Sequence, residues 1–149
     1  HVMRAEKGFI MIGDETDGTV TPHDLNLSWA VSKKKTDFIG KKAMERPFLI
    51  DPDRKRLVGL LTENPEDVLP DGAHAVEGER PNGKAKMIGH VTSTYYSPTL
   101  KRSIAMALIR RGPERMGETL TFPLGGDRTL RAKVVEPTFY APENARPNV

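Results

Sequence analysis

Apolar and polar residues alternate in short segments over the rear two thirds of the chain, which predicts β-strands separated by turns. Five segments carry this pattern: 56–62, 86–93, 103–109, 119–122 and 130–134. Pro-Asp-Gly at 70–72, Arg-Pro-Asn-Gly at 80–83 and Gly-Gly-Asp at 125–127 are typical turn sequences between them. Several short strands at this spacing predict a mainly β fold, an antiparallel barrel or sandwich over residues 53–138.

Two of these segments also predict their own surroundings. Residues 103–109 are apolar on both alternating faces, with Ile, Met and Leu on one and Ala, Ala and Ile on the other. A strand of this kind is buried on both sides, so we expect it to be central in the sheet. Residues 119–134 alternate apolar and polar positions on either side of the Gly-Gly-Asp turn, which predicts a hairpin with one face in water.

The first 50 residues have a different pattern. Six apolar residues over 2–12 predict an extended, partly buried segment. Residues 37–46 have apolar positions spaced for one face of a short helix, with Asp37 as its N-cap and Pro47 as its stop. A helical segment ahead of a β domain makes the expected fold class α+β overall.

A shift in composition predicts where the domains divide. The charged, proline-containing run 51–56 is typical of a boundary, so we expect one domain over 1–52 and a second over 53–138. The last residues contain two prolines and predict an exit arm over 139–149. Because the sequence begins at His1 with residues typical of a domain interior, we expect the chain to be an excised piece that has lost an upstream partner.

Composition narrows the class of protein. The chain is 37% hydrophobic and 29% charged, which is enough apolar material for a folded core. It has no Cys, which excludes disulfides, thiolate nucleophiles and Cys-ligated metals and is typical of a cytoplasmic protein. No apolar run approaches the roughly 18 residues of a membrane span. A net charge of +3 does not by itself indicate nucleic-acid binding.

Residues with catalytic or metal-binding chemistry are scarce. The four His lie far apart, and without Cys or clustered carboxylates they predict no metal site. Ser93 and Ser97 lack the glycines of a nucleophile elbow. The acidic run 13–18 lacks the distal Glu of a calcium loop and predicts a turn. We therefore predict no metal ligand and no nucleophilic serine in this chain.

Basic runs leave one alternative function open. Lys33–Lys35 and Arg54–Arg56 predict solvated faces, since short basic runs serve solubility more often than binding. Tyr95 and Tyr96, close to Lys101 and Arg102, would supply stacking and charge for single-stranded nucleic acid. A basic β-barrel acting as an RNA- or protein-binding module is therefore the alternative to an enzyme.

Two groups of motifs resemble the aminomethyltransferase family, which includes the glycine cleavage T-protein. The motifs are residues 3–10, 18–22, 29–31 and 37–41, similar to the end of the family's folate-binding region, and 88–93, 97–101 and 104–107, similar to its C-terminal barrel. Runs 6–9, 15–22 and 33–35 are most similar to the branch formed by alpha subunits of heterotetrameric sarcosine oxidases. Ser28 departs from the pattern, because Gly commonly precedes the Trp.

The resemblance implies that this chain is the rear of a tetrahydrofolate site in an enzyme that oxidatively demethylates sarcosine. It implies FAD, FMN and NAD in the parent complex but not on this chain. It places the acid–base Asp and the pteridine-binding Glu upstream, so we expect no catalytic residue in this chain and expect the chain alone to be inactive. The cofactor-binding candidates are Arg4, for a folate carboxylate, and Trp29, as a wall of the ring slot.

The same resemblance implies protein partners. We expect the other subunits of the oxidase and the missing upstream domains to pack against this chain. Phe9, Ile10, Met11 and Trp29 would then leave an apolar patch, through which the chain self-associates by residues 1–31.

Overall fold

Six antiparallel strands close into a β-barrel in a computed structural model that describes residues 1–77 and 86–140. The strands are β1 Lys55–Thr62, β2 His74–Glu77, β3 Lys86–Ser97, β4 Arg102–Arg110, β5 Thr119–Pro123 and β6 Thr129–Val135. Their order around the barrel is β1-β4-β3-β2-β5-β6, closed by pairing of β6 with β1. The fold is mainly β, and the predicted antiparallel barrel is confirmed.

The barrel interior is filled by the inward-facing residues of all six strands. Its core centres on Phe122, which is completely buried among aliphatic side chains from the other strands. In β5 and β6 buried positions alternate with exposed or half-buried ones, so the predicted hairpin with one wet face is confirmed. Its turn has the expected left-handed glycines, Gly125 with φ 92° and Gly126 with φ 55°.

Strand β4 lies between β1 and β3 and is buried on both faces, as predicted for a central strand. Its Ala105, Ala107 and Ile109 point into the barrel. Its Ile104, Met106 and Leu108 form a second core on the outside of the barrel, with residues Ala5, Leu25 and Leu57. The apolar outer face of β4 is therefore the surface on which the front of the chain is seated.

One glycine is required where β3 and β4 meet. A Cβ on Gly89 would lie 2.1 Å from the carbonyl oxygen of Leu108, a distance that no side chain tolerates.

Further along the same pair of strands, the register shifts between Val91 and Ser93, which is a β-bulge. The bulge turns the Ser93 hydroxyl group toward the front of the chain, where it contacts Arg4.

The front of the chain, residues 1–54, begins with a helix and not with an extended segment. Helix α1 spans Val2–Glu6, so the prediction of extended backbone over 2–12 is wrong for its first half. Met, Arg, Ala and Glu all favour helix, and the apolar pattern alone did not distinguish one helical turn from a strand. Gly8 ends the turn with φ 74°, and its Cα packs against the backbone of Pro137.

The second helix exists but is shorter than predicted. Helix α2 spans Lys41–Met44 and starts after Gly40, whose φ is 91°. Asp37 is not its N-cap, because the Asp37 carboxylate only accepts the N–H of Phe38, at 2.9 Å. The helix also ends three residues before Pro47, so the proline does not terminate it. A 3-10 turn at Ser28–Ala30 lies between the helices, and another, Gly112–Arg115, follows β4.

Other predictions from the sequence have mixed outcomes. The 70–72 turn is confirmed by the Ala73 N–H, which donates to the Pro70 carbonyl at 3.1 Å. Strand β2 was not predicted, because only two of its four residues are buried. The predicted turn at 80–83 and residues 141–149 of the predicted exit arm lie outside the described residues. The division near residue 52 stays a prediction. Within the part of the chain that the structure describes, no helix is long and apolar enough to cross a membrane.

Candidate functional site

A buried ion pair fixes the front of the chain to the barrel. The Arg4 side chain on α1 donates to Glu15 Oε2 at 2.9 Å, to Ser93 Oγ at 2.7 Å and to Tyr95 Oη at 3.1 Å. Its contact with Asp14 is longer, 3.4 Å, and lies toward solvent. Arg4 therefore links α1, the 13–16 turn and strand β3 in one contact set.

Glu15 is the centre of this contact set, and its side chain is fully buried. Its Oε2 accepts the Met11 N–H at 2.8 Å, and its Oε1 accepts the hydroxyl groups of Thr92, at 3.0 Å, and Ser93. Burial disfavours the Arg4 charge, but the hydrogen bond with Tyr95 and the charge of Glu15 outweigh it and raise the pKa of Arg4. The Arg4 guanidinium is therefore held charged beside the Glu15 side chain.

A second ion pair fixes the front of the chain to the start of β1. Arg54 Nη2 lies 2.7 Å from Asp24 Oδ2 and also donates to the Thr19 carbonyl at 2.7 Å. Asp24 Oδ2 accepts the Thr21 N–H at 3.0 Å, and the Asp24 carbonyl accepts the Leu57 N–H at 2.7 Å. Burial opposes the Asp24 charge, but hydrogen bonds from Arg54 and Thr21 lower the pKa of Asp24. Arg54 is thus engaged in a buried pair, and the prediction of a solvated face is wrong for it.

Between the two ion pairs runs a cleft of about 510 Å³. One wall is the 13–20 loop with its carboxylates, and the other is the barrel with Lys55 and Arg110. His90 lies on the barrel side, where burial and then the charge of Lys55 lower its pKa. Among residues 1–77 and 86–140, no group of three or more His, Asp or Glu side chains is placed to hold a metal ion.

Trp29 lies apart from this cleft, on the Ser28–Ala30 turn. It is 80% exposed and directly precedes two residues that line an apolar groove of about 370 Å³. The apolar residues that line the groove come from before the turn, from the turn and the loop after it, and from α2: Pro22, Ala30, Val31, Phe38, Ile39 and Met44. The turn is held from below by Ser28 Oγ, 2.7 Å from His23 Nδ1. The two predicted site residues, Arg4 and Trp29, therefore belong to separate surfaces of the described chain.

Trp29 is one of several large apolar side chains that are exposed in the front of the chain. The others are Met3, Phe9, Ile12, Ile39, Phe48 and Ile50. Of the predicted patch, Phe9 and Trp29 are exposed, whereas Ile10 and Met11 are half-buried. Ile10 packs on the outer core of the barrel. The apolar surface of the front of the chain is consequently larger than predicted and centred later in the sequence.

The aromatic pair of the nucleic-acid alternative does not form a stacking surface. The Arg4 guanidinium lies over the Tyr95 ring, 5.6 Å from its centroid, and also bonds the Tyr95 hydroxyl. Only Tyr96 offers a partly open ring at this place. Lys33–Lys35 are exposed, as predicted for a solvated face.

Sequence reasoning missed Glu15, Asp24 and Ser93 as members of these contact sets. Glu6, two residues from Arg4, accepts the Ser97 hydroxyl at 2.5 Å. In the sequence around Glu15, the only sign that its side chain is buried is that the loop containing it starts and ends with apolar residues. Its partners on β3 lie 77 and 78 residues away, beyond the reach of any spacing rule.

Comparisons with known proteins agree with this architecture. Residues 55–141 match the family model of the glycine cleavage T-protein C-terminal barrel domain. The chain is 42% identical over 148 residues to the sarcosine oxidase subunit alpha of Corynebacterium sp. (strain U-96), covering 98% of this chain and 15% of that protein. It is 33% identical over 138 residues to the aminomethyltransferase of Thermosipho melanesiensis, covering 93% and 35%.

A solved structure extends the agreement to three dimensions. The glycine cleavage system aminomethyltransferase T from Bartonella henselae superposes with a TM-score of 0.77 at 26% identity, over 93% of this chain and 37% of that one. The chain therefore spans about a third of the aminomethyltransferases and a much smaller share of the sarcosine oxidase subunits. The described strands close into a six-stranded barrel, and the family model matches more than half of the chain. The chain therefore belongs to the family of the glycine cleavage T-protein C-terminal barrel domain.

Proposed function

We propose that this chain supplies the rear of the tetrahydrofolate-binding region in a subunit of the sarcosine oxidase alpha type. In that role the region accepts the one-carbon unit released when sarcosine is oxidatively demethylated. Similarity to such subunits along 98% of the chain supports the proposal. FAD, FMN and NAD would be bound elsewhere in the parent complex, and no catalytic residue is assigned to this chain.

The observation that carries the proposal is the exposed indole of Trp29 beside an apolar groove. A folate site needs an apolar slot for flat rings, and aromatic side chains line such slots in most ligand pockets. An 80% exposed Trp gains nothing for the fold of this chain. The groove is open on one side, which is what one wall of a slot requires when the opposite wall belongs to another part of the protein.

Arg4 has a different part in the proposal. Its short contacts with Glu15 and Ser93 hold the 13–16 turn in place. Its long contact with Asp14, at 3.4 Å, is the one that a folate carboxylate would replace, because both groups lie toward solvent there. Trp29 would then contact rings, and Arg4 would hold a carboxylate.

The proposal includes the organisation of the parent protein. Residues 1–52 would be the end of a folate-binding domain, 53–138 the barrel, and 139–149 an exit arm. The exposed apolar side chains of residues 1–54 would pack against upstream domains and other oxidase subunits, in a cytoplasmic complex. The isolated chain would have no oxidase activity.

A chimera tests the proposal. This chain replaces the matching 148 residues of the Corynebacterium U-96 alpha subunit, and the complete oxidase is titrated with tetrahydrofolate by calorimetry. Trp29→Ala should weaken folate binding about tenfold, as expected for loss of one ring contact. Tyr96→Ala, which removes a partly exposed aromatic from β3, is the matched control and should change nothing.

Two outcomes would contradict the proposal. Equal folate affinity in the parent chimera and its Trp29→Ala variant would remove the ring-contact role of Trp29. Submicromolar folate binding by the 149-residue chain alone would show that no other region is needed. The RNA-binding alternative predicts instead that the chain binds single-stranded RNA and loses it steeply between low and moderate salt.

A further inference from the structure

A second cleft, of about 300 Å³, lies at one end of the barrel, where β2, β3 and β4 meet the residues ahead of β1. Its charged lining residues are Asp53, Glu77, Lys86, Arg110, Arg111 and Arg115. Four cations face two carboxylates, so the lining carries two positive charges in excess. We call this surface the basic cleft.

The cations of the basic cleft are held at two depths. Arg115 forms the floor, because its side chain is only 13% exposed and its Nε donates to the Arg110 carbonyl at 2.8 Å. Its Nη1 lies 3.0 Å from Glu118 Oε1, outside the cleft, and its Nη2 lies 3.4 Å from Glu77 Oε1. Arg111 stands at the rim with half its side chain in solvent. Positively charged groups therefore face the same space from below and from the side.

One carboxylate serves two guanidinium groups at the rim. Asp53 accepts Arg111 Nε and lies 3.6 Å from Arg110 Nη2. Within residues 1–77 and 86–140, no acceptor contacts the two terminal nitrogens of Arg111 or the ammonium of Lys86. The basic cleft thus keeps charged donors that the protein itself does not use.

The backbone of Arg111 also orients its side chain at some cost. Its φ is 53°, in the left-handed region that residues with long side chains rarely occupy. Gly112, which tolerates this region better, is the next residue and does not take this position. The residue caps the Gly112–Arg115 turn, which fixes where both arginines emerge. Arginines preorganised in this way bind planar or tetrahedral oxyanions through several hydrogen bonds at once.

We propose that the basic cleft binds a ligand through a phosphate group, independently of the folate proposal. The donors left unused on Arg111 and Lys86 match a phosphate better than a single carboxylate, because a phosphate offers more acceptor oxygens. The three free oxygens of a phosphate match donors from Arg110, Arg111 and Lys86. None of the described lining residues is aromatic, so the cleft lacks the stacking groups that a nucleic-acid strand uses.

Phosphate titration of the 149-residue chain, followed by ¹H–¹⁵N NMR, tests this proposal. Chloride at equal ionic strength provides the blank, since it screens charges without occupying the site. Inorganic phosphate and glycerol 3-phosphate are the two probes. Saturable shifts confined to Arg110, Arg111, Arg115 and their neighbours are expected. Tighter binding of the ester would identify an organic phosphate as the ligand, and equal binding would identify free phosphate.

Three variants give the titration its direction. Asp53→Asn removes the competing carboxylate and should tighten phosphate binding about fivefold, whereas Lys86→Gln should weaken it about fivefold, each an effect of one partly exposed charge. Lys86 is exposed, and its charge acts on Asp53 without a hydrogen bond, so its replacement does not threaten the fold. Arg131→Gln removes an exposed arginine of β6, whose guanidinium lies 3.7 Å from the Glu63 carboxylate. This control should leave phosphate binding unchanged.

Two results would overturn the proposal. The first is the same linear drift of signals with phosphate as with chloride, which means screening without a site. The second is a folded Lys86→Gln variant with unchanged phosphate affinity. Because neither measurement involves folate, both are separate from the test of the proposed function.

Discussion

The front of the chain and the barrel bury opposite kinds of residue. In the described barrel the fully buried positions are mainly aliphatic, around Phe122. In residues 1–54 only six residues are buried, and four of them are polar or charged: Glu6, Glu15, Thr21 and Asp24. Seven of the eleven large exposed apolar side chains of the described residues belong to this front part. The barrel is a finished core, whereas the front of the chain is fastened by polar contacts.

This difference indicates which contacts give the front of the chain its structure. Short helices of four or five residues are not stable alone, so tertiary contacts must hold them. For α1 and the loop that follows it, those contacts are the outer face of β4 and the pairs Arg4–Glu15 and Arg54–Asp24. The apolar side chains that remain outside form the surface that we propose packs against other parts of the parent protein.

The largest expected effect comes from the barrel core. Phe122→Ala should lower the free energy of unfolding by about 3–5 kcal/mol, because it leaves a cavity in a fully buried site. Since the front of the chain depends on the barrel surface, both regions should unfold together. Urea unfolding followed by circular dichroism for the barrel and by amide hydrogen exchange of residues 2–16 for the front of the chain measures this. If residues 2–16 showed a separate transition that the substitution does not move, the dependence on the barrel would be wrong.

A smaller and local effect is expected at the first ion pair. Glu15→Gln should lower the opening free energy of residues 2–16 by about 2–3 kcal/mol, because it leaves the Arg4 charge largely buried without its carboxylate. Hydrogen exchange should accelerate there, while strands β5 and β6 keep their protection. Glu63→Gln breaks an exposed pair with Arg131 and serves as the control, with little effect anywhere.

The second ion pair should make the front of the chain sensitive to acid. The pKa of Asp24 is lowered in the folded chain, so its stabilising contribution is complete above the unfolded carboxyl pKa of about 3.9. It is lost as the pH falls through the lower folded pKa. We expect residues 19–27 to open below about pH 4.

A matched variant isolates this acid response. Asp24→Asn should cost about 1–2 kcal/mol at pH 7 and remove the acid-dependent step, because a neutral amide has no proton to gain. Amide exchange of residues 19–27 between pH 7 and pH 3 measures both effects. An unchanged acid profile in Asp24→Asn would show that another carboxyl group governs the opening.

The smallest effect on stability is expected at the exposed apolar surface. Trp29→Ser combined with Ile39→Ser should change the free energy of unfolding by less than about 0.5 kcal/mol, because both side chains are already in solvent. Self-association should nevertheless weaken clearly, since these groups form much of the exposed apolar surface. Sedimentation velocity over a range of concentrations compares the two chains. A parent chain that stays monomeric throughout would contradict the self-association.

The barrel was largely predictable from the sequence because its strands obey one local rule. Inward and outward positions alternate along β5 and β6, and β4 is apolar on both faces because each face has a core. Strand β2 escaped prediction because four residues with two buried positions carry no visible period. Pairing with β3 and β5 makes it a strand.

The polar anchors could not be predicted, because their partners are distant in sequence. Glu15 meets Ser93 after 78 residues, and Arg54 meets Asp24 after 30. Local rules also misjudged α1, where one helical turn and a short strand have similar apolar spacing. Only the resemblance to family motifs led to the expectation that the front of the chain belongs to a folate-binding region, and the separate positions of Arg4 and Trp29 were not visible in it.

Hydrogen exchange in the chain alone and in the sarcosine oxidase chimera tests the central claim most directly. The claim is that residues 28–50 form an open face which the rest of the parent protein covers. The account predicts fast exchange of these amides in the 149-residue chain, strong protection in the chimera, and further slowing around Trp29 when tetrahydrofolate is added. Equal protection of residues 28–50 in both proteins, with no response to folate, would contradict it.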